Sequence, residues 1–519
     1  MRKMPIGIQD FEKVRTEDCV YVDKTALVYR LVTEGNPYFL GRPRRFGKSL
    51  LVSTLKAYFL GKKELFEGLA IAELEREWTA YPVFHIDLTG VNYTDLEALK
   101  SGLDDNLQPL EEVWGRDTEG KPPASRFLWL IRRVYEKTGK RVVVLIDEYD
   151  KPLLDTMDDP HLHDHVHAEL RAFYGVLKRS DPYLRFALLT GVTKFSKVRV
   201  FSDLNHLRDI SMEDGYADLC GISASELTGC FQPELHTLAE KNGMTYDEAL
   251  AEMQKRYNGY HFSRRGEGMC NPFSVLNTFA KADFDYSWFQ TGTPAFLVKM
   301  LKDVDFDLRD FSRGITLDAG SLTDYRVGSS DPTPLLYQSG YLTIKGYDPR
   351  YMRYTLGFPN GEVEYGFLKA LLPAYIPVTK DPQGFFIGRF NDDLEAGDVD
   401  AFMTRLRALF GDIPYELNDK TEGHYQVIFY LVFKLMGQFV QAEVRSAKGR
   451  ADAVVETRDR VYVFEFKLDT NSTAEDALVQ IDERGYLIPY TAGDRKLVKI
   501  GVEFDPVERT IGRWLENSK

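Results

Sequence analysis

The chain has 519 residues, more than one hydrophobic core ordinarily organises, so two or three domains are expected. Its 66 lysines and arginines stand against 79 aspartates and glutamates, a formal net charge of −13, which argues against a surface coated with nucleic-acid-binding charge but leaves room for a local basic patch. No run approaches the roughly 18 apolar residues of a membrane-spanning helix, residues 1–10 lack a secretory core, and Cys19, Cys220, Cys230 and Cys270 are scattered without zinc-site or disulfide spacing, so a cytoplasmic protein with no membrane contact is the expectation.

To about residue 211, short β-rich runs alternate with helical stretches: "YFL" before Gly41, "VFHIDL" at 83–88, "RVVVLID" at 141–147 and "LRFALLTG" at 184–191. This alternation predicts an α/β fold, a mainly parallel sheet wrapped by helices, with ligands at the carboxyl ends of the strands. After the first strand comes "GRPRRFGKSLLVSTL", which reads as a phosphate-binding loop opening a helix. Such a loop needs glycines so that backbone N–H groups can turn toward phosphate, a lysine for the β- and γ-phosphates and a hydroxyl for Mg²⁺. Gly47, Lys48 and Ser49 supply the second half, whereas Gly41 sits one place early and Arg42 holds the usual first-glycine position. Arg45, Phe46 and Leu50 complete the expected nucleotide-contact set. Leu51, Thr54, Leu55 and Tyr58 keep helical spacing, so a helix dipole points its positive end at the phosphates. Arg44 and Arg45 are read as added phosphate contacts, a nucleic-acid face or a solvated loop tip.

Four branched apolar residues then deliver "IDEYD", in which Asp147 holds the Mg²⁺ water shell and Glu148 polarises an attacking water. Thr190, ending the next strand, is a candidate for sensing the γ-phosphate; Arg199, Arg208 and Arg256 are open candidates for an arginine finger. Over 218–415 the pattern turns to helical pieces with aromatic punctuation, whose aromatics are read as packing because basic residues do not interleave them.

From about residue 418 the order is helix, three strands, helix, strand. In "GRADAVVETRDRVYVFEFKL" a turn over 457–460 sets the hairpin register and places Asp452 opposite Glu465. Lys467 projects on their side, while Ala453, Val455, Tyr462, Phe464 and Phe466 face the other way into a core. Two opposed like charges repel unless a cation lies between them. Lys467 is one such cation; a divalent metal held by Asp452, Glu465 and the Phe466 carbonyl is the other, with Glu422 as a fourth ligand candidate. Such a metal would activate water for attack on a phosphodiester, Lys467 neutralising the developing charge. The following helix is expected to open with a capping box from Ser472 to Glu475, to bury Ala474, Ala477, Leu478 and Ile481, and to aim Gln480 at the site.

The stretches "YVDKTALVYRL", "GRPRRFGKSLLVSTL", "VVVLIDEYDKPL", "LTGVTKFSK", "YNGYHFS" with "NPFSVLNTF", and "GRADAVV" with "VYVFEFKL" and "ALVQIDERGY" resemble the AAA-ATPase-like proteins that end in a PD-(D/E)XK nuclease domain. The resemblance implies a P-loop ATPase domain of the additional-strand type over 1–217, a mainly helical lid or coupling region over 218–415 and a restriction-endonuclease-like α/β domain over 416–519. Carried over by position, Lys48 and Ser49 bind nucleotide and Mg²⁺, Asp147 and Glu148 form the Walker B pair, and Asp452, Glu465, Lys467 and Gln480 fill the nuclease motif. The implied cofactors are ATP and Mg²⁺, with Mn²⁺ an alternative at the nuclease site, and the implied partner is nucleic acid, DNA or RNA; a homo-oligomer is compatible with it. The function this supports is an ATP-controlled, metal-dependent nuclease, in defence or mobile-element biology by analogy. The alternatives are a nucleotide switch whose nuclease-like domain binds nucleic acid or protein without cutting, and a scaffold that binds nucleotide with little turnover.

Overall fold

The computed structural model describes residues 2–35, 37–118, 120–194, 207–290, 301, 310–323, 331–375, 383–411, 422–437, 441–444, 452–467, 472–505, 508 and 510–518. The chain forms two compact units, Met1–Gly292 with Gly314–Glu362, and Thr293–Arg313 with Val363–Lys519; the stretch 218–415 contributes to both.

The first unit is built on five strands, β1 (Pro37–Gly41), β2 (Val83–Asp87), β3 (Val142–Asp147), β4 (Leu184–Gly191) and β5 (Arg208–Asp209). Their order across the sheet is β2-β3-β4-β1-β5, and every neighbouring pair is parallel. β3 is buried at all six positions, as expected of a central parallel strand covered on both faces. β4 lies between β1, which feeds the phosphate loop, and β3, which ends in Asp147; this is the additional strand. The loop helix Lys48–Phe59 buries Leu51, Val52, Leu55 and Phe59.

Beyond this sheet the helices Ala224–Cys230, Gln232–Lys241, Tyr246–Tyr257 and Pro272–Lys281 close around Leu227, Phe231, Leu235, Leu238, Met253, Tyr257, Val275 and Phe279, joined by a short ladder of β6 (Ile222–Ser223) and β7 (Met269–Cys270). Within this mainly helical stretch a small sheet stands at the far end. β8 (Ile315–Asp318), β9 (Thr343–Asp348) and β10 (Arg353–Gly357) form an antiparallel sheet in the order β8-β10-β9.

The second unit carries β11 (Gln441–Val444), β12 (Ala453–Glu456), β13 (Arg460–Lys467), β14 (Lys496–Asp505) and β15 (Thr510–Ser518), hydrogen-bonded in that order. Only the β13–β14 pair is parallel, and the helix Ala474–Glu483 makes the crossover between them. On one face Val454, Val461 and Val463 pack with Ile481 and Tyr486. On the other, Phe464 meets Phe402 and Phe433 at ring-centroid distances of 5.4 and 5.2 Å, and Phe466 meets Phe429 at 4.2 Å. Gly501 in β14 lets the crossover helix start against the sheet, because a Cβ there would lie 2.2 Å from the Ala474 carbonyl oxygen.

Candidate nucleotide and metal sites

The phosphate loop leaves β1 at Gly41 and turns through two left-handed residues, Arg45 (φ 68°) and Gly47 (φ 89°). At Gly47 this geometry is free of strain; at Arg45 it is the kind of backbone that persists only where its surroundings hold it. They do so here. Phe46 is buried edge-on against Tyr260 and Phe262, 4.7 and 5.2 Å away, the Trp288 indole N–H donates to the Arg44 carbonyl at 3.0 Å, and the Arg45 guanidinium lies 4.8 Å from the Phe273 ring centroid. Arg44 and Arg45 themselves are exposed.

Arg42, expected among the nucleotide contacts, is turned inward and is 1% exposed. Its guanidinium donates to the carbonyls of Gly41 (2.9 Å), Ser211 (2.7 Å) and Tyr216 (3.0 Å) and lies 4.2 Å from the centroid of the Phe262 ring. The position that other phosphate loops give to glycine is used here as a tie between the loop and the segment after β5.

Lys48 is also buried. Its ammonium donates to the carbonyls of Arg42 (3.2 Å) and Pro43 (3.4 Å) and lies 3.2 Å from a carboxylate oxygen of Glu148, so the loop lysine and Glu148 form an ion pair. Asp147 is held protonated to a higher pH than an ordinary aspartate, first by burial; the hydroxyls of Ser49 and Thr190 oppose that rise. The Thr190 hydroxyl donates to Asp147 at 2.5 Å. Loop, Ser49, Asp147, Glu148 and Thr190 are therefore one cluster at the carboxyl ends of β1, β3 and β4. Leu50 and Gly47 lie on the wall of an adjoining cleft lined by Val20, Tyr21, Leu219, Cys220 and Pro272. Arg208 pairs with Glu34 and Glu213, and Arg256 with Glu252, all within the first unit; Arg199 lies outside the described residues.

Asp150, which the sequence reading passed over, is fully buried and accepts from the Val192 and Thr193 N–H groups and from the Thr193 hydroxyl. Burial, with Glu148 nearby, pushes its carboxyl up to about 6. Together with the Tyr149 hydroxyl, which donates to the Thr193 carbonyl at 2.7 Å, it clasps the chain leaving β4 and so fixes Thr190. The available signal was a third acid three residues after Asp147.

In the second unit the hairpin register is the one expected: Ala453 pairs with Phe464 and Glu456 with Val461 across a turn closed by Thr457 and Arg460. Asp452 immediately precedes β12, and its carboxylate accepts the Phe466 N–H at 2.8 Å. The N–H and C=O of a strand residue project to the same edge, so the Phe466 carbonyl faces the Asp452 side. Glu465 is 4% exposed. One of its oxygens accepts from the Gln480 amide and lies 3.6 Å from the Lys467 ammonium, which itself donates to the Gln480 carbonyl oxygen at 2.5 Å. The other oxygen, Oε2, is buried with no hydrogen-bond partner. Burial, then the Asp452 charge, pushes the Glu465 carboxyl up to about 7.

An unpartnered buried carboxylate oxygen beside a second carboxylate fits a divalent cation, which would neutralise both. Asp452, Glu465 and the Phe466 carbonyl are the donors available. Among the described residues no three acidic, histidine or cysteine side chains converge, and Glu422 opens the helix Glu422–Met436 with its side chain outside the described residues. The capping box is corrected by one residue: Thr473 is the N-cap, its hydroxyl accepting the Asp476 N–H while the Asp476 carboxylate accepts the Thr473 N–H. "STAED" satisfies the three-residue spacing in either register, and burial of Ala474, Ala477 and Ile481 against β13 and β14 selects the later one.

Residues 5–201 match the family model described as "Predicted AAA-ATPase", and residues 420–514 match the PD-(D/E)XK nuclease superfamily. The chain is 38% identical over 524 residues, 98% of each chain, to a protein of Azotobacter chroococcum mcd 1 that is named "Uncharacterized protein in vnfD 5'region". No helix among the described residues is long and apolar enough to cross a membrane. With the additional strand in place between the loop strand and the Asp147 strand, and the paired carboxylates on the carboxy-terminal sheet, this chain belongs to the AAA-ATPase-like proteins that carry a PD-(D/E)XK nuclease domain.

Proposed function

We propose that the chain binds and hydrolyses ATP and that nucleotide controls a metal-dependent nuclease acting on nucleic-acid phosphodiesters. The observation that carries the nuclease reading is the buried, unpartnered Glu465 Oε2 beside Asp452, with Lys467 and Gln480 fixed around the same carboxylate. Asp452, Glu465 and the Phe466 carbonyl would hold Mg²⁺ or Mn²⁺, which when bound lowers the pKa of a coordinated water and polarises the phosphate. Lys467 brings positive charge to the scissile phosphate, and Gln480 holds both Lys467 and Glu465 in their rotamers.

In the first unit, Lys48 exchanges the Arg42 and Pro43 carbonyls and Glu148 for phosphate oxygens. That exchange would free Glu148 to orient a water, and Ser49 and Asp147 would hold the Mg²⁺ of the nucleotide. The apolar cleft beginning at Gly47 and Leu50 suits a nucleobase, whose faces are apolar and whose edge needs only a few polar partners. The test is incubation of the purified chain with labelled single- and double-stranded DNA and RNA, Mg²⁺ or Mn²⁺, with and without ATP, beside Lys48→Ala and Glu465→Ala. Cleavage that disappears in Glu465→Ala and with chelator, and that loses its ATP response in Lys48→Ala, supports the reading. ATP hydrolysis with no cut product on any substrate refutes the nuclease half and favours a non-cutting switch.

A further inference from the structure

β9 and β10 are joined by four residues, Pro349, Arg350, Tyr351 and Met352, between the paired Asp348 and Arg353. Every residue from 348 to 353 is exposed, and Tyr351 and Met352 are among the few large apolar side chains of the described chain left in solvent, at 53% and 64%. The guanidinium groups of Arg350 and Arg353 lie 5.1 and 5.2 Å from the centroid of the Tyr351 ring. Among the described residues neither has an ion-pair partner. The acids next to them are engaged with backbone: Asp348 accepts the Arg350 N–H at 2.9 Å, and Asp318, opposite Arg353 in register, accepts the N–H groups of Gly320 and Ser321.

Met352 adopts a left-handed backbone (φ 51°), strained for a residue with a side chain, although glycine would occupy the place freely. The base of the hairpin is stiffened by Arg264, which stacks 3.9 Å from the Tyr347 ring centroid and donates to the Tyr354 hydroxyl at 2.7 Å. A rigid stalk thus presents an aromatic ring, an apolar wedge and two uncommitted guanidinium groups. Residues 350–353, "RYMR", flank an aromatic and an apolar side chain with two arginines.

We propose that this tip is a contact for single-stranded nucleic acid, with Tyr351 stacking on a base, Met352 wedged beside it and Arg350 and Arg353 on the flanking phosphates. On a chain of net charge −13, a local basic and aromatic tip is where a polyanion is drawn. An anionic membrane calls for a larger cluster of four to eight basic residues. The contact rests on the reading that the chain acts on nucleic acid, and it lies outside both regions matched by family models.

The experiment measures fluorescence anisotropy of a labelled 20-nucleotide single-stranded DNA, and of the same sequence as RNA, with the full chain in EDTA so that nothing is cut. Tyr351→Ala is expected to weaken binding about tenfold, and Arg350→Ala with Arg353→Ala about tenfold or more while lowering the slope of log affinity against log salt by about 1.4. Met352→Gly, which relieves the backbone and removes the wedge, should bind more weakly and melt no lower than the parent. Unchanged affinity and salt slope in these variants, no binding by the parent chain, or retention on phosphatidylserine vesicles in place of oligonucleotide overturns the proposal. The two readings fail separately. A chain that cuts normally while its tip variants bind as the parent does sinks the contact alone. Tip variants that lose binding in a chain that never cuts sink the nuclease alone.

Discussion

Replacing Arg42 with alanine separates two roles that the loop position permits. As a phosphate ligand, Arg42 would cost nucleotide affinity and little stability when removed; as the tie seen here, it costs stability first. Three carbonyls lose a charge-assisted donor, Gly41, Ser211 and Tyr216. Hydrogen bonds to charged groups contribute about 1.5–3 kcal/mol each, a gross loss of roughly 4–9 kcal/mol. Against this stands the desolvation of a guanidinium that is 1% exposed, which removal returns and which is worth several kcal/mol. A cavity bordering Arg42, Gly41 and Ser211 can also admit water to the orphaned acceptors. The net expectation is a loss of about 3 kcal/mol from the first unit. At a urea slope of about 3 kcal/mol per M this moves the midpoint by about 1 M. Urea unfolding followed by tryptophan fluorescence reads it, since Trp78, Trp114, Trp129 and Trp288 all lie in that unit. Arg42→Lys should recover little, because an ammonium lacks the planar fork that reaches three carbonyls. A midpoint unchanged in Arg42→Ala, together with a tenfold loss of ATP affinity, refutes the tie and restores Arg42 to the phosphates.

Three other outcomes are expected. The Glu465 carboxyl titrates near 7 in the fold and near 4.5 unfolded, so the unfolded chain holds fewer protons between those values and metal-free stability of the second unit falls as pH rises through that window. The fall is on the order of 2–3 kcal/mol, added Mn²⁺ reverses it, and Glu465→Gln abolishes both effects; melting curves at pH 5 and pH 8 with and without EDTA measure it. Gln480→Ala releases Lys467 and one Glu465 oxygen, and should lower metal-dependent cleavage about 10- to 100-fold with less than about 1 kcal/mol lost in a thermal melt; a rate equal to that of the parent chain would remove Gln480 from the site. Gly501→Ala forces a methyl against the Ala474 carbonyl and should destabilise the second unit by about 3 kcal/mol in urea unfolding, a cost that a merely flexible glycine would not show.

The sequence exposed those parts of the sites that depend on local geometry. A strand alternates its faces every residue and a hairpin turn fixes its partner, so the opposition of Asp452 and Glu465 follows from counting. Gln480 was legible in the same way, since Ala477 and Ile481 fix the buried stripe of its helix and leave it on the flank. The fate of Arg42 was not, because its partners Ser211 and Tyr216 come from 169 and 174 positions along the chain. β8, β9 and β10 escaped because β8 alternates over only four residues and β9, "TIKGYD", does not alternate, Thr343 and Ile344 both being buried. β15 was missed for a related reason. "TIGRWLENS" is polar at an edge, and it is held less by its own pattern than by the Phe402 helix, where Asp400 accepts the Trp514 indole N–H and the Arg407 guanidinium donates to the Ile511 carbonyl.

That helix, Val399–Gly411, has a practical consequence. The nuclease superfamily match begins at residue 420, after it, yet Phe402 and Phe410 supply rings against Phe464, Phe429 and Phe504. A fragment excised at the edge of the recognised homology would bring the carboxylates along but leave an aromatic wall bare, and its insolubility would say nothing about chemistry. The smallest piece worth expressing starts upstream of Val399.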